Sequence, residues 1–245
     1  MATNLNFENV APPRAAWRSD QQFFVTMNIV CSVLVVFGFA QFALRGFVDP
    51  MRAPWWVHVH GLAMLAWLGL NVFQAQLAHG GSIAQHRRLG KIGFALAMGI
   101  ALLGAFTGIM AVVRGTMPPF FAPGYFLALT NLGMVIFAGL IVAAVKLRRD
   151  TEWHRRLMLV ALIFILEPAL GRILPMPLLQ PYAQWWELAF QLLFLAIAMG
   201  HDQRHRGAIH PAFWLGAVVL IGFHGLVFGL SHLPPWVAMA ESLRT

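Results

Sequence analysis

Seven apolar stretches, each about as long as a membrane-spanning helix, make up most of this 245-residue chain. The hydrocarbon core of a bilayer is about 30 Å thick, so a spanning helix needs about 20 mostly apolar residues. The alternating pattern of a transmembrane β-barrel is absent. The sequence therefore predicts an all-α, polytopic membrane helical bundle with seven transmembrane helices. The predicted spans are Phe23–Leu44, Trp55–Ala78, Leu89–Val113, Phe120–Val145, Leu157–Leu174, Gln184–Gly200 and Ala212–Leu233.

Composition supports this class and leaves no room for a separate soluble domain. Hydrophobic residues make up 59% of the chain and charged residues only 11%, whereas soluble domains carry about 25% charged residues. We expect an N-terminal cytoplasmic segment at 1–22, one transmembrane domain at 23–233 and a short periplasmic tail at 234–245. The only cysteine, Cys31, lies in the first span and excludes an intrachain disulfide.

The distribution of basic residues predicts the orientation in the membrane. With the N-terminus on one side, that side carries 12 of the 17 lysines and arginines and the other side carries five. The positive-inside rule then makes the richer side cytoplasmic, giving an N-in/C-out topology. We expect a bacterial inner-membrane protein that contacts anionic lipid headgroups at its cytoplasmic face and does not bind nucleic acid, although its net charge is +8. The first span is too long for a cleavable signal and is expected to remain.

Two of the spans begin with the same tetrapeptide, His-Arg-Arg-Leu. It starts at His86 before span three and at His154 before span five, on the side predicted to be cytoplasmic. The arginines are typical topology determinants. Because both helices enter from the same face, we expect the two histidines to approach each other at matched depth, as cofactor ligands or as packing partners.

A second group of titratable residues is expected in the outer half of the membrane. Glu167 lies inside span five, where an ionisable group usually marks a site or a pathway. Pro168 follows it and is expected to kink the helix. Counting residues along each span places His60 and His224 at a similar depth. We expect His60, Glu167 and His224 to line one cavity near Arg172, with Glu167 as a candidate catalytic acid–base group.

The end of span six offers a candidate metal site. His201 and His205 are four residues apart on one helix face, a spacing that lets two imidazoles bind one metal ion. Asp202 is adjacent in sequence and is the candidate third ligand. Zinc or iron is the metal expected there.

The histidine-containing segments resemble a large set of bacterial membrane proteins that are grouped only as a domain of unknown function. The resemblance covers residues 55–172 and includes His60, His86 and His154. It implies a multi-pass helical fold and carries no activity.

A more distant resemblance is to the ascorbate-reducible transmembrane b-type cytochromes. It rests on His60, Trp67 and Gln74 in span two, followed by His86 and Gly90. In that family, histidines at helix ends ligate one haem on each side of the membrane.

The cytochrome resemblance implies that His60 is an outer haem ligand and His86 an inner one. Span four contains no histidine, which departs from the family pattern. His154 is then the available inner partner and His224 the available outer partner.

Three functions remain open from the sequence. The first is haem b binding with electron transfer, since neutral imidazoles ligate iron without burying a net charge. The second is a membrane-embedded metal-dependent enzyme that uses zinc or iron. The third is an accessory membrane subunit without catalysis. A redox partner or a larger membrane complex is an expected partner in the first and third cases.

Overall fold

The computed structural model describes residues 14–244, with side chains from residue 19 onward. Residues 1–13, most of the expected N-terminal segment, lie outside the described residues, as do the side chains of Arg14 and Arg18. The described part is helical and contains no strand. A short 3-10 turn occupies Pro50–Arg52. The helices are α1 Arg14–Leu44, α2 Trp55–His79, α3 Ile83–Val113, α4 Pro123–Lys146, α5 Thr151–Phe164, α6 Glu167–Ile173, α7 Met176–Leu179, α8 Ala183–Arg206, α9 Pro211–Ser231 and α10 Pro234–Ser242.

Within the described residues, six helices are long and apolar enough to cross a membrane. They are α1 over Ser19–Leu44, α2, α3, α4, α8 and α9. The all-helical class and the multi-pass membrane character predicted from the sequence are thus confirmed at this level. The exception is the predicted fifth span, which is divided between α5 and α6.

The break between α5 and α6 has a local cause. Pro168 has no backbone N–H, so the carbonyl of Phe164 loses the partner that a continuous helix would supply. The side-chain amide of Gln191 in α8 donates to this carbonyl at 2.8 Å and to the carbonyl of Ile163 at 3.3 Å. The expected kink at Pro168 is therefore a true interruption, and a neighbouring helix supplies the donor that the carbonyl of Phe164 lacks.

The broken helix α5–α6 occupies the centre of the bundle. Helix α5 contacts α1, α4, α8 and α9, and α6 contacts α1 and α8. The six longer helices surround it in the order α1, α2, α3, α4, α9, α8, and α8 returns to α1. Every residue in 159–166 is buried. The neighbouring helices therefore shield the middle of the central helix from lipid and water, although charged residues lie at both of its ends.

The bundle has two ends, and hydrogen bonds join neighbouring helices at each of them. What we call the basic end contains the starts of α1, α3, α5 and α9 and the ends of α2, α4 and α8. Here His86 of α3 contacts the carbonyl of Gln74 in α2. At the opposite end, Gln41 of α1 donates to the carbonyl of Arg172 in α6 at 2.6 Å. Trp236 of α10 donates to Gly124 at the start of α4.

Candidate functional site

The histidines of the two His-Arg-Arg-Leu segments meet at the basic end. The ring centres of His86 and His154 are 6.1 Å apart and the ring planes are inclined by 84°. Both side chains are partly buried. The predicted approach of these two histidines from two different helices is confirmed.

Each of these imidazoles is held by a backbone carbonyl. Nδ1 of His86 lies 3.2 Å from the carbonyl oxygen of Gln74, and Nδ1 of His154 lies 2.8 Å from that of Ala144. A carbonyl oxygen only accepts hydrogen bonds, so Nδ1 is the protonated nitrogen in both rings. In the neutral tautomer with this proton on Nδ1, the lone pair is on Nε2.

The side chain of Gln74 lies beside this pair without a partner. Its amide nitrogen and oxygen are both buried and form no hydrogen bond. A Cβ atom added to Gly90, one turn after His86, would come within 3.5 Å of the amide nitrogen and would meet nothing else. Because buried polar groups are normally hydrogen-bonded, these two unpaired atoms close to Gly90 indicate room for a polar ligand.

The structure does not bring His60 and His224 together. His60 lies against Gly104 of α3, whose added Cβ would come within 3.0 Å of the imidazole. Among the described residues, no hydrogen bond or ring contact joins His60 to His224 of α9. The shared outer cavity and the outer haem expected from His60 and His224 stay predictions.

His224 instead belongs to the support of the helix break. Its Nε2 lies 2.9 Å from the side-chain oxygen of Gln191, whose amide nitrogen bonds the free carbonyls of the break. His224 is 0% exposed, and its Nδ1 has no hydrogen-bond partner. Gln191 therefore connects α5, α8 and α9.

Glu167 meets a carboxyl group that the sequence argument missed as its partner. Its carboxyl group lies close to that of Glu187 in α8. Arg172 lies near both carboxyl groups, donates to the carbonyl of Pro168 and stacks over the ring of Phe39 at 4.1 Å. The expected proximity of Arg172 to Glu167 is confirmed. The sequence contained an indication that Glu187 is the partner of Glu167. Residue counting places both glutamates within about two helical turns of the same membrane face.

At the end of α8, Asp202 is not a partner of the two histidines beside it. Its two oxygens bind Arg156 of α5 at 2.8 and 2.5 Å, and both residues are 0% exposed. His201 instead contacts Asp20 of α1 at 2.8 Å. Successive residues of a helix point about 100° apart, so Asp202 faces the bundle interior while His201 and His205 face α1 and the rim. The expected His201–Asp202–His205 metal site is not assembled.

The Asp202 interaction is part of a charged network at the basic end. Glu152 bonds Arg155, Arg156 and Arg206, and Arg155 also pairs with Asp20 at 2.6 Å. From the sequence, these arginines were expected only to determine the topology. The network in fact joins α1, α5 and α8 around the start of the central helix.

His210 completes this network between α8 and α9. Its backbone N–H donates to Asp202, and its ring caps α9 by accepting from the N–H of Ala212. Burial lowers the pKa of His210 below its ordinary value of 6.5, and the nearby charges of Arg156 and Arg206 act in the same direction. His210 is thus a neutral capping group at ordinary pH.

Within the described residues, no group of three or more His, Cys, Asp or Glu side chains is arranged to hold a metal ion. Comparison with known proteins does not add an assignment: no family model, no curated protein and no solved structure matches this chain. The candidate sites therefore rest on their geometry alone. They are the His86–His154 pair at the basic end and the Glu167–Glu187 pair at the helix break.

Proposed function

We propose that this chain is a bacterial inner-membrane protein that binds one haem b between His86 and His154 and transfers electrons. The observation that carries the proposal is the pair of imidazoles whose Nδ1–H groups both donate to backbone carbonyls. Metal-ligating histidines usually donate their second ring nitrogen in this way, because the bond fixes the tautomer and raises the basicity of the ligating nitrogen.

The separation of the rings fits a shared iron. With a metal–nitrogen bond of about 2 Å and a ring centre about 1 Å beyond the nitrogen, two imidazoles on opposite sides of one metal have centres about 6 Å apart. The observed distance is 6.1 Å. Both ring planes contain the metal–nitrogen axis in such a complex, so the inclination of 84° is compatible with it.

The number and surroundings of the ligands favour haem over a bare metal ion. Catalytic zinc sites use three protein ligands, whereas a porphyrin supplies four nitrogens and needs only two from the protein. Gly90 leaves space beside the His86 ring, and the orphaned amide of Gln74 offers a polar contact. Exposed arginines adjoin both histidines and suit the propionate groups. They are Arg87, Arg88, Arg148 and Arg149.

The chemistry at this site divides between cofactor and protein. Bound haem supplies one-electron oxidation and reduction. The chain fixes the two ligand rings through the carbonyls of Gln74 and Ala144, and the surrounding helices limit access of water. Haem iron is ligated by the neutral form of an imidazole, so ligation would place no additional protein charge in the bundle.

The proposal includes seven spans with the N-terminus in the cytoplasm. The segment Thr151–Ile173, which includes α5, α6 and the two residues between them, has 23 residues and is about 34 Å long at 1.5 Å per residue. The ring of six helices around them supports their counting as one interrupted span. The haem would then lie near the cytoplasmic face, where an expected redox partner can reach it. A reporter fused to the C-terminus that is active only in the cytoplasm would contradict this topology.

An absorption spectrum of the purified protein tests the haem proposal. We expect a Soret band and sharp α and β bands after reduction, produced with haem available during expression. His86→Ala and His154→Ala should abolish them, whereas His58→Ala, at an exposed position near the opposite end, should not. A wild-type spectrum without haem bands, or bands that persist in both variants, would refute the proposal. Bound zinc or iron without a Soret band would instead favour the metal-dependent enzyme.

A further inference from the structure

Two carboxyl groups face each other where the central helix is interrupted. Glu167 begins α6 and Glu187 lies in the second turn of α8. Glu187 is 7% exposed and Glu167 is partly buried. Helices α6 and α8 pack against each other and bring the two carboxyl groups close together. An added Cβ at Gly171, one turn after Glu167, would come within 2.8 Å of a Glu187 oxygen, so α6 and α8 hold the carboxyl group closely.

We propose that Glu167 and Glu187 together hold one exchangeable proton, forming a proton-binding site inside the membrane. Two ionised carboxylates in contact repel each other strongly in a weakly polar environment, so such a pair shares a proton. A hydrogen bond between two carboxyl groups also requires a proton on one of them, since an ionised carboxylate only accepts. This inference does not depend on haem binding, which concerns the other end of the bundle.

The charges around the pair balance when one proton is bound. The protonated pair carries a charge of −1, and Arg172 carries +1. The cluster is then neutral, which is the least costly state for ionisable groups away from water. Tyr125 of α4 is the other titratable group close to both glutamates. Loss of the shared proton would leave a net charge of −1, and uptake of a second would leave +1.

An independent observation indicates a missing donor at this place. Gln184 lies three residues before Glu187, so both side chains lie on one face of α8. Gln184 is 7% exposed, and its side-chain oxygen is buried without a hydrogen-bond partner. A buried acceptor beside a carboxyl pair is suited to bind a water molecule or a protonated carboxyl group.

The site combines the features expected of a proton carrier. The two acids come from different helices, Arg172 lies near both of them, and Gln191 donates to the carbonyl of Phe164 that Pro168 leaves without its helical donor. Intramembrane acids of this kind serve proton relays in pumps and transporters. The ligand assigned here is a proton, available to a proton-coupled step of this membrane protein.

Infrared spectroscopy of the purified full-length protein tests this proposal directly. A protonated carboxyl group has its own carbonyl stretching band, and labelling of glutamate with ¹³C identifies the band as a glutamate. We expect the wild type to show this band at neutral pH and the band to shift when H₂O is replaced by D₂O. Glu167→Gln and Glu187→Gln should each abolish it, because the remaining carboxylate ionises beside Arg172. Glu241→Gln, in the exposed part of α10, is the matched control and should retain it.

Each outcome decides the proposal. Absence of the glutamate band in the folded wild type would overturn it, as would a band that does not shift in D₂O, since the proton would then not exchange. Persistence of the band in both glutamine variants would assign it to another residue and overturn it as well. The wild-type result stands without any variant, so misfolding of a substituted protein does not affect the test. Arg172→Gln is a further check and should keep the band to higher pH.

Discussion

The strongest effect on stability is expected from Asp202→Ala. Asp202 accepts two hydrogen bonds from Arg156, at 2.8 and 2.5 Å, and neither residue is exposed. Hydrogen bonds to charged groups contribute about 1.5–3 kcal/mol each, and breaking a buried ion pair by removing one partner costs about 3–5 kcal/mol. In the variant, Arg156 keeps its ion pair with Glu152, in which the nitrogen and oxygen are 2.6 Å apart. We therefore expect a loss near the lower end, about 3 kcal/mol.

The assay is the unfolding of the detergent-solubilised protein as a function of the fraction of sodium dodecyl sulfate in mixed micelles. Asp49→Ala is the matched control, because Asp49 also pairs with an arginine, Arg52, but with both side chains more than half exposed. Exposed pairs contribute about 0–1 kcal/mol. If Asp202→Ala and Asp49→Ala lower the free energy of unfolding equally, the buried pair does not have the assigned role.

A double variant separates lost charge pairing from lost volume. Asp202→Leu combined with Arg156→Met removes both charges and retains apolar bulk. Replacement of a buried ion pair by apolar residues of similar size is often neutral. The double variant should therefore be more stable than Asp202→Ala. A double variant that is less stable than the single one would show that the network with Glu152, rather than the pair, stabilises this end.

Two smaller effects follow from packing and from protonation. Gly108→Val should destabilise the protein by about 1–3 kcal/mol, because the new Cβ would overlap the Thr130 side chain of α4; Gly99→Val in the same helix meets nothing within 4 Å and should change the unfolding midpoint much less. The pKa of His210 in the folded protein lies below 6.5, so its protonation opposes folding, and stability present above that pH should fall as the pH is lowered. His210→Asn, which can keep the cap on Ala212, should show a smaller fall in midpoint between neutral pH and about pH 5; an equal fall would assign the pH dependence to other groups.

The helical class and the candidate inner site were accessible from the sequence alone. Long apolar stretches without an alternating pattern form helices in lipid, because every backbone polar group must be hydrogen-bonded within the chain. The positions of His86 and His154 at equivalent helix starts predicted that they would meet, and they do. Depth along a helix is proportional to residue number, so which groups lie at the same level can be read by counting.

The neighbours of each helix were decided only by the tertiary structure. Periodicity identifies the polar face of a helix but does not say which helix that face meets. His60 and His224 were matched in depth, yet His60 lies against Gly104 of α3 and His224 bonds Gln191 of α8. Glu167 was expected to meet them and instead meets Glu187 of α8. The ring order places α5–α6 at the centre, and no local sequence pattern encodes that order.

Charge pairing across the bundle shows the same division. In the sequence, Arg156 and Asp202 lie near helix ends and are 46 positions apart. Arg156 is expected there to determine topology, and Asp202 to bind a metal ion together with two histidines. Folding buries both side chains, and a buried charge requires an opposite charge with hydrogen bonds. The sequence thus determined that this chain is a helical membrane protein with ionisable groups at certain depths. Only packing decided which of those groups are partners, because partnership depends on contacts between helices distant in the chain.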